Sequence, residues 1–119
     1  MEMRIKATNY EITPDVSKYL DTRLKAVEKL VAGVDGARLE AEVGRSAKHS
    51  KKGETQWFAE FNLKAKKNRW RAVATAATVK AAIDIAKDEL ALQIKKEKAL
   101  RVTAVKRGGK KVKDAIRRS

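Results

Sequence analysis

The side chains able to do acid–base or nucleophilic chemistry are few and poorly placed for it. His49 is the chain's single histidine. It stands in a basic stretch with Lys48, Lys51 and Lys52, has no acidic neighbour to orient its ring, and reads as a solvated loop residue. Glu40, Glu42 and Glu60 could line up on adjacent strands as a carboxylate group. They point away from the apolar face, however, and solvated pairing with Arg38 or Lys64 accounts for them. Asp84 and Asp88 lie one helical turn apart, where Lys80 and Lys87 offer ordinary helix pairs. Gly108-Gly109 before Lys110-Lys111 lacks the G-x-x-x-x-G-K-[ST] spacing of a phosphate-binding loop. With no cysteine, disulfides, thiolate metal sites and thiol nucleophiles are excluded, and one histidine excludes a multi-histidine metal site. No nucleophile–base pair emerges, so we expect no enzyme, no cofactor and no small-molecule substrate.

The cations are the informative residues. Lysine and arginine number 29 against 15 acids, a net charge of +14. Such an excess favours a polyanionic partner, because each neutralised phosphate releases counterions. On the expected first helix, Lys18, Lys25 and Lys29 are seven and four residues apart, so they share one stripe opposite Val16, Leu20 and Val27. On the expected second helix, Lys80, Lys87 and Lys98 share a stripe beside the core face, with Lys95 near it and Lys96 further round. Lysine on outer helix faces also serves solubility. Two such helices, a basic loop and a basic tail together are explained at once by a phosphate backbone.

Positioning these residues takes a small α+β domain. Met3, Ile5 and Ala7 alternate with Arg4 and Lys6 as a half-buried strand does. Thr13-Pro14-Asp15 starts a helix: a capping hydroxyl, a proline suited to the first helical position, and an acid at the positive end of the dipole. Val16, Leu20, Leu24, Val27 and Val31 give it an apolar face, and Gly33 is placed to end it. Leu39, Ala41 and Val43 alternate as a second strand, and residues 45–54 read as a loop. Trp57, Ala59, Phe61, Leu63 and Ala65 form the longest strand signal, followed by a tight turn at Lys67-Asn68 and a fourth strand through Trp70, Ala72 and Ala74. Thr78 caps a second helix with Val79, Ile83, Ala86, Leu90 and Ile94 as its apolar stripe. The order is βαβββα, a four-stranded sheet with two helices packed on one face and the other face open. Trp57, Phe61 and Trp70 fall on the apolar side, whereas Phe58 falls on the open side.

Length fits one domain, placed at residues 1–101. Residues 102–119 are expected to be a basic, flexible tail; from Arg101 onward eight cations stand against Asp114 alone. Apolar runs are too short to span a membrane, and Met1–Tyr10 has no signal-peptide h-region, so a cytoplasmic protein is expected.

Ile5-Lys6-Ala7-Thr8-Asn9-Tyr10-Glu11-Ile12-Thr13-Pro14 resembles the opening of the ribosome hibernation-promoting factors, also called protein Y or ribosome-associated translation inhibitor. Tyr19-Leu20, Arg23-Leu24 and Val27-Glu28-Lys29-Leu30 continue in register. Ala81-Ala82-Ile83-Asp84, then Leu90, Gln93-Ile94 and Lys96, are similar to the family's second-helix motif. The resemblance implies a fold like that of double-stranded-RNA-binding domains. It implies docking on the small ribosomal subunit at the decoding centre through rRNA phosphates, with translation inhibited or idle ribosomes protected by occupancy. The length suggests a short form without a dimerisation domain, monomeric off the ribosome. Phosphate contact is assigned to Lys18, Arg23, Lys25, Lys29, Lys80, Lys87, Lys95, Lys96, Lys98 and Arg101; of these, Arg23, Lys29 and Lys96 match family positions and the rest follow from the helical faces or the basic tail. Lys80 replaces a usual aromatic, and Glu89 and Leu92 replace usual cations. Two alternatives stand beside this reading: a general double-stranded-RNA binder, and a protein-interaction module using outward Ile85 and Leu92.

Overall fold

A computed structural model describes residues 1–34, 36–49 and 55–107; side chains are described except at 47–49, 55 and 99–107. The elements are β1 (Glu2–Thr8), α1 (Pro14–Leu30), β2 (Arg38–His49), β3 (Thr55–Ala65), β4 (Asn68–Ala76) and α2 (Val79–Arg107). The sheet order is β1-β2-β3-β4. β1 and β2 run parallel, joined through α1, and β2, β3 and β4 form an antiparallel meander. This is the expected βαβββα architecture.

Local chemistry explains the element boundaries. Thr13 caps α1 by accepting from the Val16 N–H at 3.3 Å, with Pro14 and Asp15 in the first turn. Thr78 does the same for α2, accepting from Ala81 N–H at 3.1 Å. α1 ends at Leu30, and Gly33 then takes a positive φ of 86°. The β3–β4 turn is Lys66-Lys67, one residue earlier than expected, with Lys66 at φ 55°. β2 reaches His49 across an irregularity between Arg45 and His49, so the expected loop begins later than residue 45. Residues 45–49 carry no apolar alternation in sequence, and pairing of His49 with Thr55 of β3 extends the strand there. The His49 side chain and residues 50–54 lie outside the described ones. α2 runs on to Arg107, just before Gly108, so the first residues assigned to the tail are helical; residues 108–119 lie outside the described ones.

Both helices pack on one face. Leu20, Leu24 and Val27 of α1 and Ile83, Leu90 and Ile94 of α2 are fully buried against Leu39, Val43, Ala59, Phe61 and Leu63 of the sheet. Each such large side chain contributes about 1.5–3 kcal/mol on burial. α2 covers β3 and β4. The edge strand β1 lies further from it, which leaves Ile5 47% exposed although it shares a face with the core-packing Met3. Gly44 on β2 faces Thr8 so closely that a Cβ there would sit 2.0 Å from the Thr8 carbonyl oxygen.

Candidate nucleic-acid interface

The two helices run in the same direction and are tied along their length. Lys80 meets Asp15 at 2.6 Å near both N-termini, Arg23 meets Asp84 at 3.0 Å midway, and the Lys98 ammonium donates to the Leu30 carbonyl where α1 ends. The last contact places a cation on the negative end of the α1 dipole. Tyr19 donates its hydroxyl to Asp84, and its ring lies under the Arg23 guanidinium at 4.0 Å and near the Lys80 ammonium at 5.2 Å. Burial opposes the Asp84 charge, but the hydrogen bonds from Tyr19 and Arg23 and the charges of Arg23 and Lys87 outweigh it. The carboxyl therefore lies below its ordinary range. The hydrogen bond to Asp84 is also the main reason the Tyr19 hydroxyl is pushed up.

These contacts sort the expected phosphate ligands. Arg23, Lys80 and Lys98 hold the helices together, Lys25 pairs with Asp21 at 3.2 Å, and Lys87 pairs with Asp88 at 2.8 Å. Among the described residues, Lys18, Lys29, Lys95 and Lys96 are exposed on the helical layer with no carboxylate partner. The Arg101 side chain lies outside the described ones. Asp84 thus pairs across to α1, not with Lys80 as an ordinary helix pair, because a residue 61 positions away packs beside it. Gln93 donates to the Arg71 carbonyl at 2.8 Å, so this motif residue fastens α2 to the edge strand β4.

The open sheet face carries a second set of charges. Glu42 accepts from the Thr8 hydroxyl at 2.5 Å, and Glu60 from Asn62 at 3.0 Å and Arg71 at 3.3 Å. Thr8, Asn62 and Arg71 therefore replace the expected Arg38 and Lys64 as partners. The Asn62 bond leads in holding the Glu60 carboxyl below its ordinary value, against burial and with help from Arg71. Arg38 instead approaches Glu2 at 3.9 Å. A further cluster, outside the helical stripes, is legible in sequence: Lys64, Lys66, Lys67, Arg69 and Arg71, five cations from 64 to 71 without an acid. Trp57 and Trp70 pack partly buried on the core, Phe61 is fully buried, and Phe58 is half-buried on the open face. No described helix is long and apolar enough to cross a membrane, and no described acidic or histidine group could hold a metal ion.

Residues 3–101 match the model of the sigma 54 modulation protein / S30EA ribosomal protein family. The chain belongs to that family. Its members are ribosome-associated factors, and the first-strand and second-helix motifs both fall inside the match. A ribosomal subunit interface protein from Coxiella burnetii shares the fold at a TM-score of 0.66 and 15% identity, over 83% of this chain and 99% of that one. The N-terminal domain of Thermus thermophilus Protein Y is similar at a TM-score of 0.59 and 26% identity, over 81% of this chain and 98% of that one. No curated protein sequence matches the chain. Arg23, Asp84 and Gln93 serve the helix–helix and helix–sheet joints, and Lys80 reaches over Tyr19 to Asp15.

Proposed function

We propose that this protein binds the small ribosomal subunit near the decoding centre through phosphate contacts to rRNA. There it blocks mRNA and tRNA, and so inhibits translation or protects idle ribosomes in the cytoplasm. The family match across residues 3–101 carries the reading. The unpaired Lys18, Lys29, Lys95 and Lys96 support it as the first phosphate ligands of the helical layer. Lys25 and Lys87 exchange their exposed acids for phosphate at small cost, since surface pairs contribute little. Arg23, Lys80 and Lys98 act as phosphate ligands only with the part of their donor set that faces outward, and Arg101 is assigned to phosphate from its place in the basic sequence. Single contacts are weak, and their sum is strongly salt-dependent. The protein acts by occupancy as a monomer, with no chemical step.

Competition on purified small subunits tests this. Saturating protein is expected to exclude both mRNA and tRNA and to stop translation in a reconstituted system. Simultaneous binding of tRNA, mRNA and this protein would sink the reading.

A further inference from the structure

The β3–β4 hairpin concentrates positive charge that the fold does not neutralise. Cross-strand register sets Lys64 opposite Arg69 on one side and opposite Arg38 on the other. Three cations therefore stand in one row on the open face of β2, β3 and β4, about 10 Å across at the usual strand spacing. Like charges directly opposite one another weaken a sheet. On the neighbouring β1–β2 pair opposite charges face each other, Arg4 opposite Glu40 and Lys6 opposite Glu42, and the like pair Glu42 and Glu60 is relieved by bonds from Thr8, Asn62 and Arg71. Among the described residues no carboxylate pairs with Lys64, Lys66, Lys67 or Arg69. Arg71 alone of the hairpin cations has an acid, Glu60 at 3.3 Å, and Arg38 lies 3.9 Å from Glu2; the row of Arg38, Lys64 and Arg69 lines an open groove of about 530 Å³ that Glu40 also borders.

We infer that this groove and the hairpin tip form a second phosphate-backbone site for RNA, on the face of the sheet opposite the helices. A linear array of cations suits a ligand with a charge at every repeat. An acidic protein segment is disfavoured, because protein interfaces are built on an apolar centre depleted in charge, which this row lacks. Arg38, Lys64, Arg69 and Arg71 contact phosphates along the groove, and Lys66 and Lys67 extend the track around the end of the sheet. That end also holds Lys98 and the last turn of α1, since Lys66 and Lys98 border one cleft there. The inference rests on the ribosomal reading in one respect: bound rRNA would meet the domain on two faces.

The test uses the full chain, a Lys67→Gln/Arg69→Gln variant, and an Arg4→Gln/Lys6→Gln variant of equal net charge on the same sheet face. Each is titrated with purified small subunits and with a 20-nucleotide single-stranded RNA (a length of about 20 chosen to exceed the contacted phosphates) across a salt series. Thermal melting confirms folding. The hairpin variant is expected to lose about ten-fold in affinity for both probes, and its salt slope to fall by about 2. The β1 variant is expected to lose much less. Equal losses in the two variants, or a loss without a change in salt slope, would overturn the inference; the second result would indicate a protein contact. Wild-type protein that ignores small subunits yet binds the oligonucleotide through the hairpin would defeat the ribosomal reading and leave this site standing.

Discussion

At the residue scale, Asp84 shows how a motif residue can look like a surface charge and act as a joint. It gathers Tyr19 and Arg23 from α1. Its carboxyl is held below the ordinary value of 3.8, so its ionised form stabilises the fold. That contribution is fully present above 3.8 and is lost as pH falls through the lower folded value. Asp84→Asn should therefore lower the melting temperature by a few degrees near neutrality, and the gap from wild type should close in acid below the ordinary value. Melting curves across pH check this; a gap that persists unchanged at low pH would show that the charge is not the cause. Lys66 makes a second case. A lysine at φ 55° occupies the left-handed region, which costs about 1–2 kcal/mol for a residue with a Cβ. Lys66→Gly should raise the unfolding free energy from denaturant titration by somewhat less than that, about 1 kcal/mol, because glycine also loosens the unfolded chain. The same variant should bind RNA more weakly. Higher stability together with weaker RNA binding would show that the Lys66 side chain serves the contact and not the fold.

At the element scale, alternation and capping made most of the fold readable. Thr13-Pro14 marks the start of α1 because a cap is a local event, and Trp57 to Ala65 marks β3 because one face is buried throughout. What sequence did not show is what depends on distant partners. The far end of β2 carries no repeated apolar residues and is paired to β3, and the Asp84 joint spans 61 positions. Of the interface, the lysines on the helices were visible as stripes. That Arg23, Lys80 and Lys98 are committed to joining elements was not, since pairing across helices leaves no mark on periodicity. The hairpin cations were countable from sequence, but only the strand register aligns them with Arg38 in a row. Gly44 likewise acquires meaning from its neighbour. With a Cβ 2.0 Å from the Thr8 carbonyl oxygen, Gly44→Ala must push β1 away from β2. It should cost about 1–3 kcal/mol in denaturant titration. A neutral result would mean that β1 shifts freely at that end.

At the scale of the whole molecule, charge and cover are arranged in layers. A basic helical layer caps one side of the sheet, a segregated cationic corner occupies the other, and the chain carries a net +14. Charge of this size draws any polyanion, so affinity alone says little about specificity. Under the proposed function, cations held in fixed positions by the fold provide recognition, and the basic sequence beyond Arg107 adds only a general attraction. Sedimentation with purified small subunits at physiological salt separates the two contributions most directly. The comparison sets the full chain beside Lys18, Lys29, Lys95 and Lys96 changed to glutamine, and beside Lys110, Lys111 and Lys113 changed to glutamine. Saturable binding to small subunits that survives the second change and fails with the first is the expected result. Binding that disappears with the tail lysines, or that is equally tight to large subunits and to any RNA duplex, would contradict the account.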